Sequence, residues 1–276
     1  MIRRHQLPVF LIGSIILGSL STTVQAGIRQ SGPPMLLLIA LPISYIPALL
    51  ALLLLHCCGD SADRAPFRRR LTTWRISPRW YILGLTLVPL TPLAGVALAT
   101  LWGGVFPLHL ERFAFLPLFL IMNLGEEIGW RGYALPKLQQ RFSPLTSSVL
   151  LGAAWAAFHW VALAQNPTQP VLYLLVATVS LVAMSVVMTW LFNHTGSIIL
   201  MVLVHAMYDV ITLGVVPLAQ TTTPLLAFAL TAATLGLVAA TLRLAVGSRL
   251  GQPAQSNNQT PRSRNSITAP ERNLGR

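Results

Sequence analysis

Eight stretches of this chain are long and apolar enough to cross a membrane, at roughly 20 residues each. They run approximately over 8–26, 35–57, 81–104, 113–135, 146–165, 170–192, 197–217 and 224–246. Only 9% of the residues are charged, 54% are hydrophobic and the mean hydropathy is +0.66. A soluble domain carries about a quarter charged residues. The expected fold class is therefore all-α, a polytopic membrane helix bundle of about eight transmembrane helices.

The net charge of +12 does not describe a nucleic-acid surface. The basic residues sit in loops and tails, where they set topology. Arg3 and Arg4 precede the first span; Arg64, Arg68, Arg69, Arg70, Arg75 and Arg79 lie between the second and third. Lys137 and Arg141 follow the fourth, and Arg243, Arg249, Arg262, Arg264, Arg272 and Arg276 follow the last. With eight spans these four regions share one side, and the opposite loops hold only Arg29 and Arg112. The positive-inside rule then predicts a multi-pass plasma-membrane protein with both termini cytoplasmic.

Residues 1–34 are expected to form an N-terminal membrane segment and loop. Arg3 and Arg4, an apolar run and Val24-Gln25-Ala26 also resemble a secretory signal, which polytopic proteins seldom need. Residues 35–246 form the expected helix bundle. Residues 247–276 read as a basic tail with too little apolar surface to fold. Cys57 and Cys58 are adjacent at a span end, a poor geometry for a disulfide; they read as small apolar residues or acylation sites.

Three of the seven acidic residues, Glu126, Glu127 and Asp209, lie inside apolar segments. A charge at a helix centre costs on the order of 3 kcal/mol on insertion scales, and intramembrane ionisable groups mark functional sites by default. In Gly125-Glu126-Glu127-Ile128-Gly129-Trp130-Arg131, Glu127 and Arg131 are spaced to pair on one helix face. Glu126 is turned about 100° away and stays free for base chemistry. Gly125 and Gly129 make a small-residue stripe for close helix packing. A purely structural ion pair would explain Glu127 and Arg131 but not Glu126.

The second polar site is His159, in Ala153-Ala154-Trp155-Ala156-Ala157-Phe158-His159-Trp160. The third is His205-Ala206-Met207-Tyr208-Asp209, where His205 and Asp209 share a face. That carboxylate is placed to fix the imidazole's tautomer or to stabilise its protonated form. Taken alone, each reads equally well as a packing or clamping group. At about 1.5 Å per residue, Glu126, His159, His205 and Asp209 fall roughly 13–18 Å from the cytoplasmic ends of their spans, so they can meet at one level. His5, His56, His109 and His194 lie near segment ends.

Glu126-Glu127-x-x-x-Arg131, an aromatic residue four before His159, and His205-x-x-x-Asp209 together resemble the CPBP family. These are the CAAX-protease and bacteriocin-processing intramembrane glutamic endopeptidases, related to the type II CAAX prenyl endopeptidase. The resemblance covers about residues 81–217. Asn193-His194-Thr195-Gly196-Ser197 looks like the family's entry into the third motif helix.

The resemblance implies hydrolysis of a peptide bond in a membrane-associated peptide or protein, with no cofactor and no metal. It implies that Glu126 and His159 activate water and that His205 and Asp209 stabilise the oxyanion, with Glu127 and Arg131 holding the segment in place. No serine or cysteine joins the motif set, so no covalent intermediate is implied. Two positions depart from the family pattern. Trp155 stands where Phe is usual, which reads as a change of packing, and Asp209 stands where Asn is usual; an ionised Asp cannot donate a hydrogen bond to an oxyanion.

Three other readings use the same residues. A zinc-dependent hydrolase would take Glu126, His159 and His205 as ligands. A proton-coupled transporter would use them as a relay, although no repeat or broken helix is evident in the sequence. A non-catalytic immunity or scaffold protein would use them as clamps. The expected partners are the lipid bilayer and a membrane-associated substrate, with no nucleic acid.

Overall fold

The computed structural model describes residues 2–29, 42–164 and 169–252. These residues are mainly helical, and no strand forms among them. The first helix, α1, spans Ile2–Arg29. The second apolar helix, α2 (Ile46–Cys58), continues an apolar run from Pro42. Residues 35–41 of that expected span lie outside the described residues, as do residues 253–276 of the expected tail. A short basic helix, α3 (Ser61–Thr72), comes next; its first turn is capped by Asp60, which accepts from the Asp63 N–H.

Six further helical units are each long and apolar enough to cross a membrane, as is α1. The third expected span, Pro78–Trp102, is two helices, α4 (Pro78–Leu87) and α5 (Leu90–Ala99). Pro89 separates them, where the missing N–H and the ring disfavour a continuous helix. The fourth, Leu110–Gln139, contains α6 (Leu116–Glu127), a π-helical segment Ile128–Ala134, and α7 (Leu135–Gln139). Next come α8 (Pro144–Leu163) and α9 (Pro170–Thr195). The seventh unit, Ile198–Gln220, holds α10 (Ile198–Asp209) and a second π-helical segment, Val210–Val215. The last helix is α11 (Pro224–Val246).

Contacts between successive helices show that the chain alternates direction. At one end, Gln6 of α1 donates to the Cys58 carbonyl at 3.4 Å and Lys137 pairs with Asp63 at 3.1 Å. The Ser197 hydroxyl donates to the Thr73 carbonyl at 2.6 Å, and Asn193 donates to the Leu250 carbonyl at 3.0 Å. At the other end, the His109 N–H donates to Val215 at 2.8 Å and the Thr222 N–H to Val105 at 2.9 Å. The described basic loops, α3 included, therefore gather at the first end.

The core lies towards that basic end. Phe10 of α1 is fully buried and meets Trp130 edge-on at 5.4 Å and Tyr133 at 5.1 Å. Trp155, Leu135 and Leu191 complete a layer with no exposure. The small-residue stripe has the effect expected of it. A Cβ on Gly125 would sit 2.6 Å from the Ser44 carbonyl oxygen, and one on Gly129 would collide with Pro47. These glycines let α2 lie directly against the segment that bears the carboxylates. Cys57 is exposed, Cys58 is buried, and both are free thiols.

Candidate active site

Glu127 and Arg131 form the expected pair. Arg131 Nη1 donates to Glu127 Oε1 at 2.8 Å, and neither side chain is exposed. Arg131 sits in the π-helical segment directly after Glu127. Its guanidinium lies 4.2 Å from the Trp155 ring centroid, so the aromatic face covers it.

Glu126 points instead into a cavity of about 560 Å³ that Asn123, Trp155, His159, His205 and Asp209 also line. The structure thus brings the three motifs to one place. Trp155 Nε1 donates to Glu126 Oε2 at 2.8 Å. The sequence alone assigns Trp155 a change of packing; the residue also supplies a hydrogen bond that Phe could not.

His159 Nδ1 lies 2.9 Å from the Trp155 carbonyl. A carbonyl only accepts, so Nδ1 carries the proton and Nε2 presents a lone pair in the neutral ring. That Nε2 faces Glu126 Oε1 at 3.9 Å. Two acceptors at this spacing, beyond direct contact, can share one water.

The third motif is wired differently from its sequence spacing. His205 Nδ1 lies 3.0 Å from Glu127 Oε1, the oxygen that also accepts from Arg131. His205 Nε2 and Asp209 Oδ2 are 3.6 Å apart, too far for a direct hydrogen bond. Asp209 Oδ2 accepts at 2.9 Å from the Asn123 amide. Asn123 is a site residue that sequence reasoning missed. The signal was available: it is a buried amide in an apolar helix, one turn before the Glu-Glu pair.

Ser44 and Ser180 also line the cavity, although the motif set contains no serine. Among the described residues, no three His, Cys, Asp or Glu side chains converge as metal ligands. Of the set a zinc hydrolase would need, Glu126 Oε2 and His159 Nδ1 are both engaged by Trp155, and His205 Nδ1 by Glu127.

Comparison with known proteins converges on the same region. Residues 108–211 match the family described as type II CAAX prenyl endopeptidase Rce1-like. The chain is also 27% identical over 187 residues to CAAX prenyl protease 2 of Methanococcus maripaludis, covering 61% of this chain and 69% of that protein. The matched region contains Asn123, both glutamates, Arg131, Trp155, His159, His205 and Asp209. Through this region the chain is similar to the Rce1-like membrane peptidases.

Proposed function

We propose that the chain is a glutamic peptidase that hydrolyses a peptide bond of a membrane-associated substrate with water held between Glu126 and His159. The observation that carries this reading is the 3.9 Å spacing of Glu126 Oε1 and His159 Nε2 at the base of an apolar cavity. Glu126 takes a proton from the water as its oxygen attacks the scissile carbonyl. The proton then passes to the departing amine. No protein–substrate covalent bond forms.

The developing oxyanion needs donors. An amide carries two N–H groups, and Asn123 uses one on Asp209. We assign the second to the oxyanion, with His205 beside it. The Asp at position 209 then orients the donor rather than acting as one. Asn123→Ala should lower kcat by about 10²–10³-fold, the usual loss for one oxyanion donor, with little change in KM. A loss confined to KM would remove the assignment.

Trp155 is a positioning residue. Trp155→Phe keeps a ring against Arg131 but removes the donor to Glu126. A hydrogen bond to a charged group contributes about 1.5–3 kcal/mol, so kcat should fall by about 10- to 100-fold while thermal stability in detergent stays close to wild type. A lower melting midpoint with unchanged kcat would make the residue merely structural.

The decisive experiment uses purified protein in proteoliposomes and a quenched, membrane-anchored peptide. Wild type should cleave it and Glu126→Gln should not. Metal analysis of the same preparation and a chelator arm separate the zinc reading: activity that disappears with chelation and returns with zinc would displace the glutamic mechanism. Capture of peptides on Glu126→Gln and their mass spectrometry would identify the substrate.

A further inference from the structure

We infer that the cavity is entered from the face of the membrane opposite the basic loops, so that its substrate is an apolar peptide segment presented on the extracytoplasmic side. The identity of the reaction rests on the peptidase reading above; the direction of entry does not.

The first observation is where the cavity wall comes from. Its lining includes Thr22 near the end of α1, Ser44 before α2, Leu163 at the end of α8, and Gln220 at the end of the seventh unit. Each lies at the helix end away from α3, Lys137 and Asn193. The second is a gradient of exposure along all three motif helices. His159 is 31% exposed, whereas Trp155, one turn nearer the basic end, is not exposed at all. Asp209 is 22% exposed and His205, one turn nearer that end, is 6% exposed. Glu126 is 8% exposed, whereas Glu127 and Arg131 are fully covered. Three helices running in both directions thus agree on one mouth.

The third observation is the plug behind the site. Phe10, Trp130 and Leu135 are fully buried between the carboxylates and the basic end. Entry from that side would have to displace this layer. The fourth is charge. Among the described residues, Arg29 and Arg112 are the only Lys or Arg at the mouth end of the spans, and the dense basic loops fall at the plugged end. Such an excess faces the cytoplasm, so the mouth faces away from it.

The wall chemistry sets the substrate class. Phe119, Met122, Phe158, Leu163, Met184 and Phe228 line the route to Glu126. A scissile bond beside an apolar segment, held in the outer half of the bilayer, fits this surface.

The chain carries its own control for the test. Cys57 is exposed at the plugged end, and Gln220 and Leu213 are exposed at the mouth. Intact bacterial cells expressing the full chain are treated with a membrane-impermeant sulfonated maleimide. Gln220→Cys and Leu213→Cys, each in a Cys57→Ser, Cys58→Ser background, should label in intact cells. Native Cys57 should label only after permeabilisation. Labelling of Cys57 in intact cells, with both mouth positions protected, would overturn the inference, whatever the protein hydrolyses. The second arm uses proteoliposomes whose orientation is read from Cys57 labelling. Peptide anchored on the mouth side should be cleaved at least about tenfold faster than peptide on the Cys57 side, the least that a closed route from one face should produce. The reverse preference would also overturn it. The expected labelling with no cleavage on either side or in detergent supports the direction of entry and counts against the peptidase reading alone.

Discussion

Glu126→Gln should lower peptide hydrolysis by about 10²–10⁴-fold, the contribution of a positioned general base, while leaving the fold intact. The amide keeps an oxygen to accept from Trp155 Nε1, so the 2.8 Å contact survives the change. What it lacks is the basicity that the proposed mechanism asks of Glu126 towards a water shared with His159. Single-turnover cleavage alongside a thermal melt in detergent separates chemistry from folding. Wild-type turnover in the variant would end Glu126's role as the base.

Arg131→Ala should be the most damaging change to stability. Glu127 would remain at zero exposure with its guanidinium partner gone, and breaking a buried pair this way costs about 3–5 kcal/mol. Activity should fall with abundance, because Glu127 Oε1 is also the acceptor for His205 Nδ1. The double variant Glu127→Gln, Arg131→Gln removes both charges together, and the Gln at 127 can still accept from His205. It should restore abundance and melting temperature better than either single change. Equal abundance across wild type, singles and double would show that the pair does not stabilise the fold.

Both predictions start from features legible in the sequence, since intramembrane charge is rare and i,i+4 spacing is geometric. The match between apolar length and helix was equally direct for the seven units long enough to cross. What the sequence hid were the contacts between segments. His205 and Asp209 looked like a pair because they share a face, yet His205 bonds to a carboxylate 78 residues away and Asp209 to an amide 86 residues away. Helical spacing says which side chains point together, not which neighbouring helix supplies a better partner. Asn123 escaped notice because one neutral amide barely alters the hydropathy of its segment. Trp155 read as packing because its ring does pack; only the direction of its N–H reveals the second role.

The π-helical segments were also invisible, because neither residue types nor periodicity announce a single wide turn. A π turn holds one residue more than the α turn it replaces. Ile128–Ala134 sits between Glu126, which faces the cavity, and Lys137, which faces Asp63. Losing one residue after Arg131, at Gly132 or Ala134, can be absorbed by closing the wide turn to an α turn, so both flanks keep their facing. The same deletion within α7 has no slack to draw on and rotates the rest of that helix by about 100°. The span therefore carries its length tolerance at one address, where the loss of a residue leaves the carboxylates and the Lys137–Asp63 anchor in phase.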